Sequence, residues 1–134
     1  IGTTDSEHAF CWILDQLHYE FGAPEPTPED LFKYIATLAR QIDALGVANI
    51  IISDGACLFA YCSNNLHWIT RRAPFGKASL IDAEVAIDFC EETTDKDIVT
   101  IIATQPLTDD ENWHKMNAGD WHLFCLGESI IGGK

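Results

Sequence analysis

Three runs in this sequence are apolar at nearly every position rather than at alternate ones: IIIS at 50–53, IVTIIAT at 98–104 and LFCL at 123–126. A strand with one wet face alternates between polar and apolar residues, so a run that does not alternate needs cover on both faces. The sheet they form is therefore expected to be buried on both sides. Only two stretches read as helices, and two helices cover only one face. Either the chain forms a homodimer through the bare face, or a second layer comes from chain outside residues 1–134.

The helices announce themselves by their starts. Thr4 and Glu7 have the S/T-x-x-E spacing of a capping box, and Phe10, Ile13, Leu14, Leu17 and Phe21 follow at helical intervals, which predicts a helix over about residues 5–21. Gly22 stops it, and APEPTP is a short stiff connection. Thr27 followed by Pro28, Glu29 and Asp30 opens a second helix, with Leu31, Tyr34, Ile35, Leu38, Ile42 and Leu45 as its apolar face and Gly46 just past its end.

From Val47 the period changes. VANIIISDG, CLFAYCS and LHWITRR are short β-branched or aromatic runs separated by the turn dipeptides Asp54-Gly55 and Asn64-Asn65, and they predict an antiparallel meander of three strands. Residues 73–96 read as loop with one short strand near Val85 to Phe89. DIVTIIATQPL predicts a long strand, Asp109 to Asn117 a turn or helical piece, and DWHLFCLGE a last strand. Helices followed by strands, with no helical crossover between strands, define an α+β chain in which two helices pack on a mainly antiparallel sheet.

Charge and composition remove several functions. With 21 acidic and 8 basic residues the net charge is −13, which repels phosphate backbones and anionic membrane surfaces, so no nucleic acid and no membrane partner is expected. No apolar run approaches the roughly 18 residues of a membrane span. The five cysteines, Cys11, Cys57, Cys62, Cys90 and Cys125, are odd in number and sit mostly in apolar runs, the habit of buried free thiols, which predicts a cytoplasmic protein. Cys57 and Cys62 lie five apart, not at metal-knuckle spacing, and read as core thiols. The histidines, His8, His18, His67, His114 and His122, show no H-x-x-x-H spacing, so neither zinc nor any cofactor is expected. There is no G-x-S-x-G elbow, and the terminal GGK has neither a strand before it nor a helix after it.

Arg71-Arg72 stands out against so few basic residues. It is either a docking point for an anionic group or a strand end pairing with nearby acids. The second is favoured, because adjacent strand residues point to opposite faces and should not line one pocket together. Asp54-Gly55 reads as a hairpin turn, and Trp113 and Trp121 as anchors of the last strand.

GTTDSEHAFCWIL, FKYIATLA, LFAYCSNNLHWITRRAPFG and TIIATQPLTDDENWHKMNAGDWHLFCLGE, in that order, resemble the C-terminal half of class II glutamine amidotransferases of the YafJ type. The resemblance implies part of a four-layer αββα sandwich of the N-terminal nucleophile hydrolase kind. It also implies a thiol nucleophile on an N-terminal cysteine, an oxyanion-hole Asn-Gly pair and a carboxylate-gripping Arg, all in an N-terminal half. Residue 1 here is Ile, so the chain is expected to be inactive alone and to need the N-terminal half of the same protein as its partner.

One site residue carries over. In the family the TDSE or TDTE segment supplies an Asp for the α-amino group of glutamine, and the matching position here is Asp5, with Thr4 and Glu7 left to cap the helix. Taken without the resemblance, Asp5 reads as a helix-start residue, since acidic first turns are common. Two alternatives stand beside the amidotransferase reading: hydrolysis of γ-glutamyl peptides or amides in the same pocket, and a non-catalytic module that dimerises through its uncovered sheet.

Overall fold

The computed structural model describes residues 2–74, 77–79, 86–88, 94 and 96–134, with 77–79 and 86–88 by backbone alone. It divides into a helical unit ending at Ala48 and a sheet unit running from Asn49 to Lys134.

In the helical unit, α1 spans Asp5–Phe21 and α2 spans Pro28–Asp43. Thr4 is the N-cap of α1 and the capping box is complete, while Gly22 ends the helix at φ +51° with its N–H donating to the His18 carbonyl. Thr27 caps α2, accepting from the Asp30 N–H at 3.2 Å, and Pro28 occupies the first turn, where a missing N–H costs nothing. Phe32, Ile35, Ala36, Leu38 and Ala39 of α2 are buried, whereas α1 buries only Ile13 fully. Phe21 meets Tyr34 edge to face at 5.5 Å and joins the two helices. Leu45 departs from the expected apolar face: α2 ends at Asp43, and Leu45 is 90% exposed.

The sheet unit holds nine strands among the described residues: β1 Ile50–Ser53, β2 Cys57–Tyr61, β3 Leu66–Arg72, β4 Lys77–Ser79, β5 Ala86–Asp88, β6 Ile98–Ala103, β7 His114–Met116, β8 Trp121–Cys125 and β9 Glu128–Gly133. They form two antiparallel sheets, ordered β1-β2-β8-β9 and β6-β3-β7, and a separate β4-β5 pair. β5 falls within the strand expected near 85–89; Val85 and Phe89 themselves lie outside the described residues.

The three-strand meander is corrected by this topology. β1 and β2 form a hairpin, but β3 enters the other sheet, because the free side of β2 pairs with β8 over all five residues from Cys57↔Cys125 to Tyr61↔Trp121. The corner between β2 and β3 is fixed by Asn49, whose Oδ1 accepts from the Ser63 and Asn64 N–H groups and whose Nδ2 donates to the Asn64 Oδ1 and the Asn65 carbonyl. Two further expectations fail locally. His114–Met116 is a strand paired with Leu66–Trp68, not a turn or helical piece. After Cys125 the chain reverses through Leu126 and Gly127, both at positive φ as a two-residue hairpin requires, and the terminal glycines lie inside β9. A Cβ on Gly127 would collide with the Ile98 carbonyl, so glycine is required there twice over.

The second layer comes from the chain itself. Trp68 of the three-stranded sheet contacts His122 and Phe124 of the four-stranded sheet at 5.5 and 5.4 Å, and the Thr100 Oγ1 donates to the Gly127 carbonyl at 2.8 Å. On the opposite face of the four-stranded sheet Phe59, Tyr61, Trp121 and Leu123 are buried as well. The central strands β2 and β8 are thus covered on both sides, as expected for Leu123 to Cys125 of LFCL, whereas Leu126 lies in the turn beyond β8 and is 90% exposed. IIIS and IVTIIAT are not so covered: β1 and β6 are edge strands of their sheets, with Ile51 50% and Val99 44% exposed.

The cysteines also depart from expectation. Cys62 is a buried thiol outside any disulfide, but Cys57 is disulfide-bonded to Cys125. Sixty-eight residues separate the two, and the strand register brings their Cα atoms to 4.4 Å, the spacing of a directly opposed antiparallel pair. A count of cysteines therefore does not argue for a reducing compartment. Cys11 is free, and Cys90 lies outside the described residues. No helix among the described residues is long and apolar enough to cross a membrane.

Candidate functional site

Asp5 is the first residue of α1 and is exposed. The capping is carried out by its neighbours: the Thr4 Oγ1 accepts from the Glu7 N–H at 3.3 Å, and the Glu7 Oε2 accepts from the Thr4 N–H at 3.2 Å and from the Thr4 hydroxyl at 2.8 Å. Those bonds hold the Glu7 carboxyl below the usual carboxylate range. The Glu7 carboxylate folds back over residue 2, where any side chain would overlap it, so Gly2 belongs to the same construction. With the cap supplied by Thr4 and Glu7, Asp5 accepts only from the adjacent Ser6 N–H, at 3.1 Å, among the hydrogen bonds of the described residues. A carboxylate at this end of a helix is stabilised by the helix dipole.

The sheet unit contains a cleft of about 630 Å³ along β3. β7 pairs with β3 only from Leu66 to Trp68, and beyond that point the strand edge opens onto the 108–113 loop. Five consecutive residues, Trp68 to Arg72, line the cleft, so it follows the edge of the strand and not one of its faces. Arg71 and Arg72 consequently border the same cleft, which corrects the expectation that alternation would keep them apart.

Their pairing with acids is as expected. Arg71 donates through Nε to the Glu111 Oε1 at 2.8 Å and makes a second contact to Oε2; Arg72 makes a two-point pair with Glu128 of β9. The Thr108 hydroxyl, 2% exposed, donates to the Glu111 Oε2 at 2.6 Å and accepts from the Trp113 indole N–H at 2.9 Å. Arg71, with Thr108 adding a further bond, holds the Glu111 carboxyl below its ordinary range against the opposing effect of burial. Trp113 is thus an anchor of the 108–113 loop, while Trp121 stacks on Phe59 at 5.9 Å.

His114 stacks on Trp68 at 4.3 Å at the cleft wall. His122 is half-buried; burial pushes its imidazole toward the neutral form, opposed by Asp120 and reinforced by His114. His8 and His18 are exposed on α1, and no three His, Cys, Asp or Glu groups among the described residues are arranged to hold a metal ion. Sequence reasoning missed Thr108 and Glu111. Their S/T-x-x-E spacing is the signal that marked Thr4 and Glu7, here in a loop with no apolar helical repeat after it.

Two helices and two antiparallel sheets in this order form an α+β chain of the glutamine amidotransferase kind. A crystal structure of a predicted glutamine amidotransferase from Pseudomonas aeruginosa PA01 superposes with a TM-score of 0.84 at 46% identity, covering 98% of this chain and 51% of that one. The sequence profile of class II glutamine amidotransferases matches residues 1–133, and the chain belongs to that family. It is 53% identical over 131 residues to YafJ of Escherichia coli (strain K12), a predicted glutamine amidotransferase, covering 98% of this chain and 51% of that protein. It is 42% identical over 130 residues to a predicted glutamine amidotransferase of Haemophilus influenzae, covering 97% of this chain and 44% of the relative. The chain therefore spans about half the length of the relatives it matches.

Proposed function

We propose that residues 1–134 form the C-terminal part of a glutamine-hydrolysing domain, and that Asp5 binds the α-amino group of the substrate. Family membership across residues 1–133 supports the activity. The observation that carries the role of Asp5 is the division of labour at the start of α1: Thr4 and Glu7 satisfy the cap, so the Asp5 carboxylate is not consumed by it. In this reading the nucleophile is a cysteine thiol in the N-terminal half of the same protein. Its thiolate adds to the γ-carbonyl carbon, and the tetrahedral intermediate expels ammonia as the leaving nitrogen takes a proton. Water then hydrolyses the thioester to glutamate and regenerates the thiol. Asp5 takes no part in bond making. Its ammonium–carboxylate bond fixes one end of the substrate so that the amide meets the thiol.

The test is Asp5→Asn in the full-length protein, assayed for ammonia from glutamine and for amine release from γ-glutamyl amides. A hydrogen bond to a charged group contributes about 1.5–3 kcal/mol, so KM should rise roughly 10- to 150-fold with a much smaller change in kcat. An unchanged KM removes Asp5 from the site. Residues 1–134 alone should release no ammonia, and adding the N-terminal half should restore the activity.

A further inference from the structure

We propose that Cys57 and Cys125 form an exchangeable thiol–disulfide pair, a redox modification site that takes low-molecular-weight disulfides of the glutathione class as oxidant and the corresponding thiol as reductant. The proposal is independent of the glutaminase reading. It starts from where the fold puts the two residues. β2 and β8 are the interior strands of the four-stranded sheet, hydrogen-bonded to each other over five residue pairs and flanked by β1 and β9. Phe59, Tyr61, Trp121 and Leu123, which share a face with the two cysteines, are buried by packing. The strands are therefore held in register whether or not the sulfurs are bonded, and the protein can exist folded in both states.

Access distinguishes this pair from the other described thiol of the sheet unit. Cys57 and Cys125 lie at the end of the buried stripe and are half-buried, next to the hairpin turns at 54–56 and 126–127, whereas Cys62 is completely enclosed. A small reagent approaching that end of the sheet meets the first two and not the third. Oxidation proceeds in two displacements. One cysteine thiolate attacks glutathione disulfide and expels one glutathione thiolate; the second cysteine thiolate then attacks the mixed disulfide and expels the other. Two cysteine thiols and one glutathione disulfide become one protein disulfide and two glutathione thiols, with protons conserved. The bond then ties the two turns together where, with Thr100, Ile102 and Phe124, they line a cavity of about 220 Å³. The oxidation state thereby sets the rigidity of that cavity's wall.

The experiment uses the full-length protein equilibrated in glutathione buffers of graded reduced-to-oxidised ratio. Samples are quenched in acid, remaining thiols are blocked with N-ethylmaleimide, and the Cys57–Cys125 linked peptide is quantified by mass spectrometry, with circular dichroism and melting curves on parallel samples. The linked fraction should rise and fall reversibly with the ratio at constant secondary structure, and the oxidised form should melt several degrees higher. Cys57→Ser and, separately, Cys125→Ala should fold and lose the dependence of Tm on the ratio. Thiols that stay free at every ratio overturn the proposal. So does a linkage that yields to reduced glutathione only in denaturant, or a failure of both variants to fold, since either outcome makes the bond a structural cross-link.

Discussion

Removing the Glu111 carboxylate is the perturbation whose cost the structure sets most narrowly. Arg71 and Glu111 are only 13% and 20% exposed at their side chains, so neither retains much water. Glu111→Ala deletes the acceptor of a two-point guanidinium pair and of the Thr108 hydroxyl at 2.6 Å, and leaves a largely buried guanidinium without that carboxylate. Breaking a fully buried pair by removing one partner costs about 3–5 kcal/mol; with residual exposure the expected loss is about 2–4 kcal/mol. At the 2–4 °C per kcal/mol typical of proteins of 150–250 residues, the melting midpoint should fall by about 4–16 °C. The sign of the pH dependence follows from the lowered carboxyl. A group ionised more readily in the folded state contributes fully above its unfolded value of about 4.3 and loses that contribution as pH falls through the still lower folded value. Urea titrations of wild type and Glu111→Gln should therefore differ most at pH 7, hold that difference to about pH 5, and converge below pH 4. A difference that stays flat from pH 7 to pH 2, or a loss below about 0.5 kcal/mol for Glu111→Ala, would refute the argument.

The neighbouring pair should behave oppositely. Arg72 is 58% exposed, its bond to Glu128 is screened by water, and Arg72→Met should leave the melting midpoint within experimental scatter of wild type. Gly127→Ala should cost about 1–3 kcal/mol by urea unfolding, combining positive φ with the collision at Ile98. Gly119→Ala, at φ +86° but with open space around it, should lose only the conformational part; equal losses at both positions would remove Ile98 from the explanation.

The elements whose signals are local were legible. α1 starts and stops where Thr4, Glu7 and Gly22 place it, because a cap and a left-handed glycine act within one turn of chain. The sheet assignments failed where the deciding contact is distant. Nothing near β2 says that its second neighbour is β8, and β7 has too few residues to show a period before pairing with β3 fixes it. The same applies to the sites. Asp5 became a candidate through a short motif and a resemblance, while the Glu111 network joins residues 71, 108, 111 and 113 and exists only once β3 and the 108–113 loop are adjacent.

By itself, then, the sequence determined the helices, most of the strand content, the acidic character, the need for cover on both faces of β8, and the family. Those rest on periodicity, on residue chemistry and on motifs within a few residues of one another. Tertiary structure alone decided that the strands divide into two facing sheets, that Cys57 meets Cys125, and that both arginines border one cleft. Each of these depends on which strand edges pair, and pairing is chosen by the packing of residues tens of positions apart, where no local preference of the chain can reach.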